Sequence, residues 1–340
     1  MKRAGLKILL ATAVILILSC HRGSDRADHS GSATEVHIKR LEKDLFSADP
    51  FKIPLTADSL KAEYGRFLQY FSYVINIGEV GDSAWKEGLL RFCTDRQNNE
   101  VYLKTVEVFP DVKKIEKELS AAFRNFRRCF PGKPVPAIYT CISGFNNSII
   151  TGDSTLGISL DRYLGKDCKY YPQLGIYKYQ AAKMTPEYIV TDCIYGLAAS
   201  EWDYNTAGYS PDNVLSAIIH EGKLLWVVKR VLSHKPDEII FGFTGPQMKF
   251  CRSNEGAMWE YFIENNLLFS TDMLTRKKLI GEAPFTSYFS KESPGRAAAW
   301  IGYRIIESYM KHNRKTTPEE LMRINDPQEI LSKARYSPVP

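Results

Sequence analysis

Apolar positions recur at the spacing of helices over the first part of the chain. Between residues 60 and 130 large apolar side chains return every three or four positions, first as Leu60, Tyr64, Phe67, Leu68, Phe71 and Ile75 and later as Val112, Ile115, Leu119, Ala122, Phe123 and Phe126. This spacing places the apolar side chains on one face of a helix. The sequence therefore predicts a set of amphipathic helices here.

The hydrophobic period changes after residue 135. Residues 136–142 read as a strand, and residues 148–151 and 155–160 read as two more strands that turn at Gly152-Asp153. The following stretch, residues 161–179, is rich in Tyr, Gly and Lys. It predicts a long surface excursion whose aromatic side chains either bind a ligand or pack over the core. The expected fold class is α+β, mostly helical with a small antiparallel sheet.

The most apolar predicted helix covers residues 210–232 and is apolar over more than one stripe. A helix of this kind is buried by its neighbours. Ser210 as the N-cap, Pro211 at the first helical position and Asp212 at the positive end of the helix dipole mark its expected start. A polar insertion, His220-Glu221-Gly222-Lys223-Leu224, interrupts its middle.

This insertion is close to a zinc-binding motif. In His-Glu-x-x-His, two histidines on one helix face bind zinc while the glutamate activates a water. His220 and Glu221 fit the first half, but Leu224 stands at the second ligand position and cannot bind a metal. Lys223 shares the face of His220. We expect a zincin-like core with a degenerate metal site in which His220 is a weak metal candidate, and no cofactor. A buried helix with an ordinary core histidine is the alternative.

Two more charged residues join this candidate site. Glu255 begins a downstream helix, where it is either a remnant of a third zinc ligand or a first-turn glutamate that favours the dipole. Arg296 falls in the first turn of a helix predicted to start at Ser293-Pro294, where a cation costs about 0.3–1 kcal/mol. It is therefore expected to pair with Glu255 or Glu221, unless it is exposed. Lys223 is expected either to balance one of the same carboxylates or to be solvated.

The N-terminus has the features of an export signal. Basic side chains precede an apolar run over residues 8–18, which is too short to span a bilayer. Residues 1–19 are predicted to be a signal peptide that ends in a pattern resembling bacterial lipoproteins, with cleavage before Cys20 and acylation of that residue, palmitate included. A cysteine beside an ordinary cleavage site is the alternative. Residues 20–35 are polar and predict a lipid-anchored flexible tether, and residues 36–340 a single domain.

Charge and cysteine usage exclude several classes of function. A net charge of +6 without a basic stripe and interleaved stacking aromatics argues against nucleic acid. The six cysteines after Cys20 form no C-x-x-C pair, which argues against a cysteine zinc site. A domain of this size does not need disulfides, so several of these cysteines are expected to be buried free thiols. No Gly-rich phosphate loop or nucleophile elbow occurs.

Several segments together resemble one family. They are Cys20, residues 38–46, 142–146, 158–165, 220–223, 283–285, 293–296, 300–302 and 334–338, and in this order they are similar to the gliding-motility lipoprotein family GldB. The resemblance implies an envelope lipoprotein associated with the surface gliding machinery and distant kinship to zincin-like peptidases, and it does not imply catalysis. The chain is then expected to be held at a membrane by its lipid, to face the periplasm or cell surface, and to have envelope or gliding-machinery proteins as partners.

Three functions remain open from the sequence. The first is a non-catalytic pseudo-peptidase scaffold that binds a partner. The second is a metal-dependent peptidase or hydrolase in which His220 and Glu255 hold the metal and Glu221 is the base, although two protein ligands fall short of the three usual for catalytic zinc. The third is a binder of glycans or small ligands through the tyrosine-rich stretch of residues 161–179.

Overall fold

The computed structural model of the protein describes residues 35–47, 49, 52–82 and 84–338. The predicted signal peptide, Cys20 and all but the last residue of the predicted tether lie outside these residues. The strands within them are β1 (Ile38–Arg40), β2 (Ala137–Cys141), β3 (Ile149–Gly152) and β4 (Thr155–Ser159). The helices are α1 (Leu41–Phe46), α2 (Ile53–Val74), α3 (Trp85–Thr94), α4 (Arg96–Val108), α5 (Lys113–Cys129), α6 (Tyr170–Gln173), α7 (Lys178–Ala181), α8 (Ile189–Glu201), α9 (Val214–Val231), α10 (Asp237–Phe241), α11 (Gly245–Ser253), α12 (Glu255–Glu264), α13 (Met273–Ile280), α14 (Ala297–His312), α15 (Pro318–Arg323) and α16 (Pro327–Ala334).

The fold is mostly helical with a small sheet, which confirms the α+β class, but the sheet is mixed rather than antiparallel. Its strand order is β1-β2-β4-β3. The predicted hairpin is correct, since β3 and β4 pair antiparallel with Gly152 opposite Thr155. However, β2 runs parallel to both β1 and β4. The chain crosses from β2 to the sheet edge at β3 and returns as β4, so β4 lies beside β2 in the same direction.

Side chains on the two faces of this sheet enter two hydrophobic clusters. On β2, Ile138 belongs to the cluster formed with α5, α8, α9 and α14, and Tyr139 to the cluster formed with α2 and α3. Successive side chains of a strand point to opposite faces, so one strand contributes to both. Every residue of β4 is buried. The sheet is therefore a partition between two helical layers, and α9 lies in the larger one.

The helix α9 is buried as predicted, although it begins at Val214 rather than near Ser210. Asn213 is its N-cap, and the side-chain oxygen of Asn213 accepts a hydrogen bond from the Ser216 amide at 3.0 Å. It packs closely against α14, because a Cβ on Gly302 would overlap with the Ile218 carbonyl oxygen. The small side chains at the contact therefore bring the backbones of α9 and α14 close together. The predicted start of α14 was early, since that helix begins at Ala297.

The stretch of residues 161–179 packs several of its aromatic side chains over the core, which was one of the two predicted alternatives, while residues 172–175, Tyr177 and Lys178 are exposed at the surface. Tyr163, Tyr170 and Tyr171 are buried, and the Tyr171 hydroxyl donates to the Asp161 carbonyl at 3.1 Å. Free thiols were predicted correctly, with Cys93, Cys141, Cys168, Cys193 and Cys251 buried and Cys129 half-buried. Among the described helices, none combines the length and the apolar character that crossing a bilayer requires.

Candidate functional site

The polar insertion of α9 presents its side chains to two different sides of the helix. His220 and Lys223 are three residues apart and share one side, whereas Glu221 is rotated from His220 by about 100°. Both His220 and Lys223 are buried. Glu221 keeps 18% of its side chain exposed. The candidate residues therefore do not converge on one centre.

On the first side, His220 is enclosed by tyrosines. Its ring lies edge-on to the rings of Tyr204 and Tyr209, with centroids 5.2 and 5.7 Å away. The Tyr209 hydroxyl lies 3.4 Å from Nδ1 of His220. Burial lowers the pKa of His220 to about 4, and the neighbouring Lys223 charge acts in the same direction, while the Glu221 charge opposes it. The imidazole is therefore neutral at pH 7.

Lys223 is a buried amine without a carboxylate partner among the described residues. The side chain is 1% exposed, and Nζ donates to the Ile324 carbonyl and, at 3.1 Å, to the Tyr209 hydroxyl. It also lies 5.2 Å from the centroid of the Tyr209 ring. Both expectations for this residue, an ion pair with Glu221 or Glu255 and a solvated side chain, were wrong. Burial lowers the pKa of Lys223 to about 7.

On the other side, Glu221 forms an ion pair with Arg296. A guanidinium nitrogen of Arg296 lies 2.7 Å from Glu221 Oε2, and the Tyr195 hydroxyl donates to the same oxygen at 2.8 Å. The predicted acidic partner of Arg296 is thus confirmed as Glu221. Arg296 is the N-cap residue of α14, with a positive φ of 62°. The charge of Glu221 therefore compensates a cation at the positive end of that helix.

The ion pair extends through a second carboxylate. Glu282 lies 3.4 Å from Arg296 and 2.7 Å from Nζ of Lys183. Burial raises the pKa of Glu282, but the two cations outweigh it and hold the pKa below its usual range. Two cations and two carboxylates therefore form one chain of compensated charge.

Glu255 stands apart from both groups. Its carboxylate accepts from Arg304 at 2.9 Å and from the Tyr336 hydroxyl at 2.9 Å. The expectation that it pairs with Arg296 or Lys223 was wrong. Leu224 is buried apolar at the second ligand position. In the described part of the chain, no three or more His, Cys, Asp or Glu side chains are grouped so that they could hold a metal ion. These residues do not fit the ligand set of a zincin.

The partners that organise both sides were missed in the sequence. Tyr209 lies in the loop before α9, Tyr195 lies on α8, and Glu282 follows α13. Tyr209 and Glu282 lie in loops, where no hydrophobic period places a residue against a particular helix. The signal that could have pointed to these partners is chemical, since a half-buried arginine and a buried lysine require acceptors.

One known protein family matches most of the chain. The family profile described as gliding motility protein GldB matches residues 22–338. The chain belongs to the GldB family. A search of curated proteins found no match to it, and neither did a search of solved structures.

The GldB match covers all the residues of the candidate site, including both sides of α9 and Glu255, but begins after Cys20. At the level of the family, GldB membership makes this a gliding-motility lipoprotein. A lipoprotein of this family fits a membrane-anchored location in the envelope, and its role in gliding motility points to envelope or gliding-machinery proteins as its working context.

Proposed function

We propose that this GldB-family chain is a non-catalytic, partner-binding scaffold, acylated at Cys20 and built on a zincin-like core whose metal site has degenerated. The supporting observation is that polar residues of the incomplete His-Glu-x-x-His motif, residues 220–224, already form contacts within the protein. Glu221 is held by Arg296 and Tyr195, and Lys223 by the Ile324 carbonyl and Tyr209. A general base must instead be free to reach a water or substrate proton.

Electrostatics support the same proposal. When protonated, the Lys223 amine repels a divalent cation at His220, and in a poorly solvated interior this repulsion is larger than it would be in water. The lysine charge already disfavours the protonated form of His220. A site with one imidazole, a leucine and an adjacent amine is therefore a poor zinc site and a sound structural cluster.

The proposal is tested in the native envelope. The full-length chain carrying a C-terminal tag is crosslinked in cells, solubilised and purified, beside Cys20→Ser and His220→Ala variants. We expect specific envelope proteins to be crosslinked to the wild type and to His220→Ala in equal yield, with far less crosslinking for Cys20→Ser because that variant has no lipid. A wild type without specific crosslinks, or a His220→Ala chain that folds yet loses them, would contradict the scaffold role.

A metal-dependent hydrolase is the second candidate. In its favour, His220 is neutral at pH 7, which is the form of imidazole that binds metals. It would require Glu255 to leave Arg304 and Tyr336 and Glu221 to leave Arg296. Zinc binding that depends on His220 is the property that separates the two candidates.

A further inference from the structure

A cavity lined in part by Tyr195 and Arg296, the two residues that contact Glu221, has no assigned role. Its volume is about 360 Å³, within the range of about 300–1,000 Å³ typical of small-molecule sites. One wall is apolar and is formed by Met184, Leu225, Ile239, Ile240 and Phe241. This wall fits an aliphatic group.

The lining also contains a carboxylate that no cation neutralises at contact distance. Asp192 lines the cavity and accepts a hydrogen bond from the Tyr163 hydroxyl at 2.8 Å. Among the described residues, no Lys, Arg or His lies within 4.0 Å of the Asp192 carboxylate. Next to it, Thr191 also lines the cavity and is 4% exposed, and its hydroxyl has no hydrogen-bond partner in the described part of the chain. Buried polar groups of this kind normally have partners.

The cations of the cavity wall are already engaged. Arg296 and Lys183 share the carboxylates of Glu221 and Glu282. The third cation, Arg162, donates to the Phe145 carbonyl and the Ser148 hydroxyl, both at 3.2 Å. Burial raises the pKa of the adjacent Asp161 carboxyl to about 6, although hydrogen bonds from the Phe145 and Ser143 amides and the Arg162 charge lower it.

Aromatic rings complete the polar end of the cavity. Tyr163 and Tyr188 line it together with Asp192, and the Asp192 charge adds to burial in raising the pKa of both phenols. The faces of aromatic rings attract organic cations. A carboxylate flanked by tyrosines, an unpartnered hydroxyl and an apolar wall is a combination that suits an amphipathic amine.

We propose that this cavity binds an organic ammonium group on an aliphatic body, with the ammonium at Asp192 and Thr191 and the aliphatic part along Leu225 and Phe241. Burial removes water from the Asp192 carboxylate, and no protein cation at contact distance compensates for this loss. The ammonium group of the ligand supplies the compensating charge. Burial raises the pKa of Asp192 to about 6, although the Tyr163 hydrogen bond and the Lys183 charge lower it. The carboxylate is therefore largely ionised at pH 7 and available to an ammonium group. This inference is independent of the scaffold role.

The test uses hexylammonium as the probe, titrated calorimetrically into the full-length chain in lipid nanodiscs at pH 7.5. We expect saturable binding with one probe per chain. Asp192→Asn, which keeps an acceptor for Tyr163, should weaken it about tenfold or more because a charge-assisted hydrogen bond is lost. Hexan-1-ol, which has the same length and no charge, should also bind at least about tenfold more weakly. The matched control Asp167→Asn, at a side chain that is 87% exposed, should bind like the wild type.

Three results would overturn the proposal. Equal heats for the wild type and Asp192→Asn would mean that the probe only partitions into the nanodisc lipid. Tighter binding of hexanoate than of hexylammonium would make the cavity an anion site that uses Arg162, Lys183 or Arg296. Wild-type protein that shows no saturable binding refutes the ammonium site directly, without reliance on the folding of any variant.

Discussion

Lys223→Met tests the buried amine at the centre of α9. Methionine retains most of the volume of lysine and removes the charge. Burial lowers the folded-state pKa of Lys223 to about 7 from the ordinary value of 10.5. Between these two values the unfolded chain binds more protons than the folded chain, so the free energy of unfolding rises with pH in this window. This is the reverse of a lysine that gains an acidic partner, whose pKa is raised.

The magnitude follows from the two pKa values. Linkage gives a destabilising contribution from Lys223 of about 4 kcal/mol at pH 7 and about 2 kcal/mol at pH 9. Methionine removes this contribution but leaves the Ile324 carbonyl and the Tyr209 hydroxyl without their donor, at about 1–3 kcal/mol each. The two effects are similar at pH 7. The decisive quantity is therefore the difference in the free energy of unfolding between the wild type and Lys223→Met. Between pH 7 and pH 9 this difference should shift by about 2 kcal/mol in favour of the wild type.

Urea unfolding at both pH values measures this difference, because titrations common to the two proteins cancel. Lys291→Met, at an exposed lysine, is the matched control and should leave the wild-type pH dependence unchanged. Parallel pH dependences for the wild type and Lys223→Met would contradict a lowered pKa, since they would show that the folded-state pKa of Lys223 is ordinary. A loss of about 3–5 kcal/mol at both pH values would point to a carboxylate partner, which none of the described residues provides.

Two further substitutions test the packing and the ion pairs around α9. Arg296→Met should lower the free energy of unfolding by about 3 kcal/mol, because Glu221 is left with only the Tyr195 hydroxyl. A double variant with Glu221→Gln should recover part of this loss. Strictly additive losses would show that the two residues are uncoupled. Gly302→Ala should destabilise the protein by more than about 3 kcal/mol in thermal or urea unfolding, since the new methyl overlaps with the Ile218 carbonyl. The control is Gly132→Ala, which has open space around its Cβ position. Equal effects of the two substitutions would contradict the close contact of α9 and α14.

Patterns in the sequence predicted those parts of the fold that depend on residues close together in the chain. The β3–β4 hairpin follows from two short apolar runs around Gly152-Asp153, and the burial of α9 from its apolar stripes. The strand β1 could not be predicted, because three residues are too few to show an alternation. Its pairing with β2 joins residues 38 and 138, and such contacts between distant segments leave no local pattern.

Only part of the candidate site could likewise be predicted from the sequence. An acidic partner for Arg296, either Glu221 or Glu255, followed from the cost of a cation at a helix N-terminus, and the structure selects Glu221. The environment of Lys223 did not follow, because its acceptors are a backbone carbonyl at Ile324 and a tyrosine in a loop. A backbone carbonyl is present at every position, so the sequence does not indicate which one a buried amine will reach. The cavity at Asp192 was missed for the same reason, since its lining residues come from separate segments.

We propose that the polar insertion of α9, residues 220–224, is a structural cluster and does not form a zinc site. Metal analysis of the purified full-length chain, equilibrated with zinc and then dialysed, tests this most directly, beside His220→Ala and the exposed-histidine control His234→Ala. We expect well below one zinc per chain, at the same level in all three proteins. One zinc per chain that is retained in His234→Ala and lost in His220→Ala would contradict it.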